Sequence, residues 1–519
     1  MNATTFTHAE FLASTVTAAL AADGFEVGDP VVVRRQLLDS FDGLLYADGL
    51  RLDALDVAGS KGVGLVLTAD DSPPAHLDVP MIPRLAGDLP KGPFRDRISR
   101  ALSVRALSTS VMFAARRTTA LRRDPAGKVT VTVAVYDALE VTGPSSPDTA
   151  MPVWAVEVHE HLGAPRAGAE VRSRLAALGL VATNGDALDL AATQAGVDRR
   201  GFNASPTVPM DRHQPALVAF RRVLANLAAT VDATWPGTVD DVDPEFLHDL
   251  RVAVRRTRSV LAQAKGILDP SVRATYREGF GWLGGATGPA RDLDVYVIEW
   301  DSYVAPLGRD AAALAPVLGH LIERRRAEHE ALSAVLASDR YRDLMAGWRV
   351  WLHDDTADAG DGRRQGDAPV GEVVAQRISR AQATLLERGR TIDADTAAEV
   401  LHELRKDAKK LRYLLECFGG LLKPIPRKAF VQRLKALQDN LGEHQDAEVH
   451  VAQLRGFSHE LADSPAVGPD TLLAMGQLTG RLEERRLAAR RDFAERFSAY
   501  DTKQTARTLD ELLDGPAGR

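Results

Sequence analysis

Apolar positions keep two different rhythms along this chain. Up to about residue 195 they fall in short β-rich runs, and Val31–Val33, Gly62–Thr68, Lys128–Val135 and Val153–Val158 read as strands. Turn residues separate them at Asp70–Pro74 and Gly143–Pro147. Helices are expected at Ala9–Ala22 and Ala169–Leu178, which together predict an α+β domain with a largely antiparallel sheet. From about Gln214 the apolar spacing lengthens to the helical period of about 3.6 residues, and strand-like segments nearly vanish. Ala216–Thr234, Pro244–Ile267, Leu314–Leu336 and Thr396–Phe418 carry this period most clearly.

The change of rhythm predicts domain limits. Residues 1–197 form the first domain, and 198–215 a linker containing Gly201, Pro206, Pro209 and Pro215. Residues 216–505 form an all-α domain. An Asp-, Gly- and Ala-rich interruption at 354–371 divides it into halves at 216–353 and 372–505.

The halves repeat one another. His248-Asp-Leu-Arg-Val-Ala-Val-Arg-Arg-Thr-Arg258 returns 154 residues later as His402-Glu-Leu-Arg-Lys-Asp-Ala-Lys-Lys-Leu-Arg412. At the same offset, Gly288-Pro-Ala-Arg-Asp-Leu-Asp-Val295 returns as Gly442-Glu-His-Gln-Asp-Ala-Glu-Val449. Two motifs sharing one offset imply internal duplication. A looser match pairs Glu323-Arg-Arg-Arg326 with Glu483-Glu-Arg-Arg486 at an offset of 160.

On a helix turning about 100° per residue, Arg251, Arg255 and Arg258 fall on the His248 side, with Arg256 at its flank. Arg405, Lys409, Arg412 and Lys410 fall likewise around His402. Leu250, Val254, Thr257, Val260 and Leu261 lie opposite, as do Leu404, Ala408, Leu411, Leu414 and Leu415. Each helix should therefore turn an apolar stripe to a core and a cationic stripe away from it. Like charges on successive turns repel by a few tenths of a kcal/mol per pair. A face needing only solubility would interleave acids with bases. The stripe is thus read as uncompensated, its missing counterion an external polyanion. Arg offers bidentate phosphate contacts and Lys a mobile point charge. The bland alternative for any one copy is a solvated face. Gly288 and Gly442 are read as helix breaks, and Asp292, Asp446, Asp294 and Glu448 as caps of the next helix or partners of the stripe arginines.

Composition constrains rather than identifies. The 519 residues carry 45% hydrophobic and 26% charged side chains, ordinary for a globular protein. A formal charge of −7 argues against a general nucleic-acid coat. Splitting the chain at residue 205 leaves 20 basic and 24 acidic residues before it and 44 and 47 after, so any anion site must arise locally. Cys417, the single cysteine, admits no intramolecular disulfide. The first 25 residues contain no Lys or Arg, unlike a secretory signal. No apolar run approaches the roughly 18 residues of a membrane span. A cytoplasmic location and no membrane partner are expected. No His-x-x-x-His or carboxylate–His pair involves His248, His402 or His444, and no metal or cofactor is expected.

The doubled His-x-Leu-Arg-x-x-x-basic-basic-x-Arg motif is followed each time by Leu-x-x-x-x-Gly-x-x-x-Asp, from Leu283 to Asp292 and from Leu437 to Asp446. This resembles the CHAD family, the conserved-histidine α-helical domains, over roughly residues 210–505. The resemblance implies two four-helix units related by a pseudo-twofold axis, with the basic helices lining a central groove. It also implies binding of inorganic polyphosphate, or another phosphate polyanion, and association with polyphosphate granules. Carried over by position, the binding residues are His248, Arg251, Arg255, Arg256, Arg258, His402, Arg405, Lys406, Lys409, Lys410 and Arg412. Arg325, Lys435 and Arg485 are expected as accessory groups.

The N-terminal region resembles a CYTH domain, a triphosphate tunnel fold, in Leu38–Leu52, in the strand–turn–strand of Arg116–Glu140 and in Val153–Val158. That family's Glu-x-Glu-x-Lys is absent: before Gln36 stand only Glu10 and Glu26, outside that spacing. Those glutamates would hold the divalent metal that neutralises a triphosphate. The expected reading is a degenerate, non-catalytic CYTH-like domain joined to a polyphosphate-binding module acting as a granule or scaffold protein. The alternatives are a triphosphatase-type phosphohydrolase using Glu140, Glu157 or Glu160, and an RNA- or nucleotide-binding protein. Against the last, Tyr413 is the only aromatic on either stripe, whereas single-strand binders stack bases on aromatic side chains.

Overall fold

Alternation of core-facing and outward side chains builds the first part of the chain, and a helical period the second, in the computed structural model. The structure describes residues 3–7, 13–69, 72–143, 153–161, 165–354, 365–393, 395–462 and 464–514. Its contacts divide into two compact units, Met1–Asn203 and Ala204–Arg519.

The first unit is one antiparallel sheet with helices on it. Its described strands are β1 (Ala3–Thr7), β2 (Glu26–Val27), β3 (Val31–Asp39), β4 (Leu50–Val57), β5 (Val63–Ala69), β6 (Ser72–Val79), β7 (Ser108–Arg123), β8 (Val129–Thr142), β9 (Val153–Glu160) and β10 (Val181–Thr183). The hydrogen-bonded order is β10-β1-β9-β8-β7-β3-β4-β5-β6, with β2 added on β7. The helices are α1 (Ala13–Ala22), α2 (Leu44–Ala47), α3 (Pro93–Leu102), α4 (Pro165–Ala177) and α5 (Ala187–Gln194). Val33, Val111, Phe113, Ala134 and Tyr136 pack under α5, while Val131, Val133, Val156 and Val158 pack under α1 and α4. Of the Asp70–Pro74 turn, Asp70 and Asp71 lie outside the described residues, and Ser72, Pro73 and Pro74 belong to β6. This strand ends the sheet order, where a proline's missing N–H leaves no ladder bond unmade. Of the Gly143–Pro147 turn only Gly143 lies within the described residues, and of Ala9–Ala22 the part from Ala13.

The second unit is helical, and the duplication sets its helix starts. The first half contains α6 (Ala216–Val239), α7 (Pro244–Gln263), α8 (Pro270–Ala286), α9 (Gly288–Ile298), α10 (Trp300–Val304), α11 (Ala315–Leu336) and α12 (Asp339–His353). The second contains α13 (Val370–Arg390), α14 (Ala398–Cys417), α15 (Pro424–Glu460), α16 (Pro469–Tyr500) and α17 (Lys503–Leu513). The starts of α6, α7, α8 and α11 each return 154 residues later as those of α13, α14, α15 and α16. Pro244, Pro270, Pro424 and Pro469 open their helices, where the absent N–H would have had no partner. The Asp243 carboxylate accepts from the N–H groups of Glu245 and Phe246 at the head of α7.

Main-chain pairing shows the symmetry directly. Pro215 pairs antiparallel with Pro369, its own equivalent. Ala216 N–H donates to Ala368 O at 2.9 Å, and Val370 N–H to Gln214 O at 3.0 Å. Leu217 donates to Gly366 and Gly371 to Arg212 in the same reciprocal way. Each bond becomes its partner when 154 is added to or subtracted from its residues, the mark of a local twofold axis.

The halves share a core. Leu250, Val254, Thr257, Val260 and Leu261 of α7 are buried, as are Leu404, Ala408, Leu411, Leu414 and Leu415 of α14. A second cluster joins Tyr296, Trp300 and Leu321 of the first half to Val451, Phe457 and Leu478 of the second. Gly442 does not break a helix, because α15 runs through it; at the equivalent place Thr287, between α8 and α9, keeps right-handed helical φ/ψ. Asp446 therefore caps nothing. Leu250→Ala and Leu404→Ala, at equivalent fully buried positions, should each cost about 2–5 kcal/mol in chemical denaturation, with similar values for the two.

Candidate functional site

With their apolar stripes in one core, α7 and α14 pack against each other, and their polar edges meet. His248, Arg255 and Arg256 of α7 and Arg405, Lys409 and Arg412 of α14 line one cavity of 660 Å³. Its remaining wall includes Ser205, Glu299, Tyr303, Glu416, Glu443, Asp446, His450 and Arg485. A neighbouring 270 Å³ cavity adds Arg251, Arg291 and Asp292. Arg258, His402, Lys406, Lys410, Lys435 and Arg325 line neither of these two cavities.

The stripes are not uncompensated throughout. Arg251 reaches Asp292 at 3.7 Å, and its equivalent Arg405 reaches Asp446 at 3.1 Å. These acids stand on α9 and α15, so neither helix's own sequence displays the compensation. Arg251 also donates to Thr287 Oγ1 and Gly284 O, and Arg405 to Gly442 O. A Cβ on Gly288 would crowd the Arg251 Nη1 at 3.2 Å, whereas one on Gly442 would stand 3.8 Å from that of Arg405, an ordinary contact. Arg256 donates to Glu416 and to Ser205 Oγ, both at 2.6 Å, and Arg412 donates to the other Glu416 oxygen at 2.6 Å.

Two equivalent cations differ. Among the described residues, neither Arg255 nor Lys409 has a hydrogen-bond or ion-pair partner, and the Arg255 Nε is buried without one. Burial, then Arg405, Arg255 and Arg251, push the Lys409 ammonium down to about 8. Burial raises the Asp292 carboxyl against the lowering pull of Arg251, and Asp446 adds to the rise, which places the two equivalent acids within each other's field.

The other expected groups lie elsewhere. Arg325 is bound by Asp241 at 2.6 Å and by the buried Asp294 at 2.6 Å, a structural ion cluster. It is also not the equivalent of Arg485. Their helices start 154 residues apart at Ala315 and Pro469, so an offset of 160 sets Arg485 about six residues, or 9 Å, further along. Arg485 does line the cavity, beside Glu443 at 2.7 Å. Lys406 pairs with Glu403 on the surface, and Lys435 is exposed. His402 bonds Gln445 at 2.6 Å. Glu299, Tyr303, Glu416 and His450 were absent from the sequence-derived set; only Glu416, four residues after Arg412 on one helix, had a local signal.

In the first unit, a buried ionic knot fills the face beneath α5. Arg35 donates to Glu157 at 2.7 Å, Asp186 at 2.9 Å and Asp53 at 3.2 Å. Arg51 binds Asp53, Asp186 and Asp189. Glu157 also accepts from Tyr136 and from the Ala187 N–H that opens α5. Burial is the strongest influence on the Glu157 and Asp186 carboxyls and works to raise them. Arg35, together with the His159 and Ala187 hydrogen bonds at Glu157, and with Arg51 and the Asp189 N–H at Asp186, nevertheless holds each below its usual range. These acids do not suit the metal of a triphosphatase. Asp53, Glu157, Asp186 and Asp189 are each already bound by Arg35 or Arg51, β1 carries no carboxylate, and no cluster of three His, Cys, Asp or Glu fit for a metal occurs among the described residues. Nor does the structure bring Glu140, Glu157 and Glu160 together: Glu140 is exposed, and Glu160 turns to Arg172. Arg35→Ala would strand buried Glu157, and should cost about 3–5 kcal/mol by denaturation of the first unit, with Glu157→Gln in the same background recovering part of it.

Residues 222–455 match the family model of the CHAD domain. No curated protein matches the chain. Among solved structures it is similar to the CHAD domain from the plant Ricinus communis, at 24% identity over 61% of this chain and 98% of that one, with a TM-score of 0.48. It is similar to PptA from Streptomyces chartreusis at 20% identity, over 55% of this chain and 99% of that one, with a TM-score of 0.41. A Hippeastrum adenylyl cyclase described as having a dominant triphosphatase activity aligns at 12% identity, over 38% of this chain and 97% of its own, with a TM-score of 0.29. After an antiparallel-sheet unit, then, comes a helical region whose residues 222–455 match the CHAD domain.

Proposed function

We propose that the helical unit binds inorganic polyphosphate, or another linear phosphate polyanion, in the cavity between α7 and α14, and that the sheet unit is non-catalytic. One observation carries the reading. Arg255 and Lys409, equivalents under the pseudo-twofold, line one cavity, and neither has a hydrogen-bond or ion-pair partner among the described residues. Arg405, Arg412, Arg256 and Arg251 surround them on arms held by Asp446, Glu416 and Asp292. A chain of phosphates supplies the missing negative charge at several points, which a single small anion does not. The CHAD match supports the same ligand, and with that ligand goes our reading of the chain as a granule-associated or scaffold protein of the cytoplasm. No described helix is long and apolar enough to cross a membrane, so no lipid contact is invoked.

Arg255→Glu with Lys409→Glu should weaken polyphosphate binding well over tenfold, with a shallower salt dependence, because fewer counterions are exchanged on binding. Titration of long-chain polyphosphate at two salt concentrations, with thermal melts, measures this. Loss that merely tracks unfolding, or stronger binding of RNA or ATP than of polyphosphate, would reject the assignment.

The Lys409 ammonium supplies a pH test. It loses its proton near pH 8 in the free protein, whereas adjacent phosphates favour the protonated form. Binding above that pH must therefore take up a proton. Affinity should be flat below about 8 and fall as pH rises beyond it, and Lys409→Arg should remove the fall up to pH 9.5.

For the sheet unit, addition of Mg²⁺ or Mn²⁺ should give no phosphate release from tripolyphosphate or ATP above a no-enzyme control. Metal-dependent turnover abolished by Glu157→Gln would restore the phosphohydrolase reading.

A further inference from the structure

The pseudo-twofold makes each half a control for the other, and at one position the control fails. Glu416 ends α14 inside the central cavity, with one carboxylate oxygen on Arg256 and the other on Arg412, each at 2.6 Å. The equivalent residue of α7, 154 positions earlier, is Ala262. The counterparts of Arg256 and Arg412 are Lys410 and Arg258, and neither has a hydrogen-bond or ion-pair partner among the described residues. The fold therefore tolerates this cation pair without a carboxylate in one half, and holds one in the other.

We infer that Glu416 is a resident competitor for the polymer, occupying the place of one phosphoryl group between Arg256 and Arg412. The inference rests on the polyphosphate reading of the cavity. Two guanidinium groups from opposite halves, each bound to one oxygen of a shared anion, are as suited to phosphate as to carboxylate. Glu416 is also placed as a divider. Together with Ser205 and Arg256 it lines both the central cavity and a second one of 480 Å³. The second cavity carries two further cations, Arg427 and Lys428, outside the repeated motif. With Glu416 in place, the arginines between the two cavities are neutralised, and a chain in the central cavity meets negative charge at that end. With the carboxylate displaced, the cationic path runs on from Arg412 and Arg256 to Arg427 and Lys428. Glu416 thus sets affinity and selects for polymers whose many other contacts outweigh its displacement, against short phosphates that cannot displace it.

The test exchanges the two halves' residues. Glu416→Ala copies Ala262, and Ala262→Glu, at an exposed position, installs a carboxylate beside Arg258 and Lys410. Binding of tripolyphosphate and of long-chain polyphosphate to the full chain is measured at two salt concentrations, with melting curves. Glu416→Ala should bind both probes more tightly, by roughly tenfold for tripolyphosphate and less for the long chain, with a steeper salt dependence from the two freed cations. Its free form should melt lower, because Arg256 and Arg412 then repel without a mediator. Ala262→Glu, beside cations that line neither cavity, should leave the binding of both probes and the melting temperature unchanged. Tighter binding alongside lower stability separates competition from a merely structural ion pair, which would lose both together. Unchanged or weaker binding by Glu416→Ala, with the wild type binding normally, overturns the inference alone. A wild type that binds neither probe overturns the polyphosphate reading, and this one with it.

Discussion

Contact between α7 and α14 across the pseudo-twofold governs the helical unit. Each helix buries Leu, Val and Ala on one side, and the shared core leaves them no other orientation. Their cationic edges are thereby forced toward one another, and the cost of holding Arg255 near Lys409 is met by packing elsewhere rather than by counter-charge at the spot. The neighbouring arginines are treated differently. Arg251 and Arg405 donate to the helix backbone at Gly284 and Gly442, and Asp292 and Asp446 hold their far ends. A rigid frame of neutralised arginines thus surrounds a bare cationic centre.

The first unit makes the opposite use of arginine. Arg35 and Arg51 are enclosed by Asp53, Glu157, Asp186 and Asp189, and the carboxylates outnumber the two guanidiniums. An entering phosphate would have to break these bonds in a buried place and leave carboxylates facing its own charge. In one chain, then, arginines on a sheet are consumed by internal acids, while a cation pair between two helices is kept open.

The apolar stripes of α7 and α14 were legible because a 3.6-residue period needs only its own helix to be seen, and the two copies confirmed each other. The helix starts at Ala216 and Pro244 were read, and those at Ala315 and Ala398 to within two residues, but the helices opened by Pro270, Pro424 and Pro469 were not. Contacts between elements were legible only in part. Asp292 and Asp446, read either as helix caps or as partners of the stripe arginines, do meet Arg251 and Arg405, whereas the pairing of Arg35 with Glu157 spans 122 residues and left no local signal. The Glu-Arg-Arg resemblance at offset 160 misled for a related reason. Local composition matched, but the helices kept an offset of 154, so Arg325 fell among Asp241 and Asp294 while Arg485 reached the cavity. Gly442 misled too, since a glycine carried inside a long helix looks in sequence like one that ends a helix.

The reciprocal main-chain bonds around Pro215 and Pro369 have an evolutionary reading. A segment that pairs with its own repeat is what two identical chains form at an isologous contact, where each residue meets its counterpart across a twofold. The helical unit is thus a homodimer written into one polypeptide. In a true homodimer every substitution appears twice, and the two flanks of the groove stay alike. Fusion removed that constraint: one subunit-equivalent could acquire Glu416 while the other kept Ala262, giving a symmetric frame a direction along its groove.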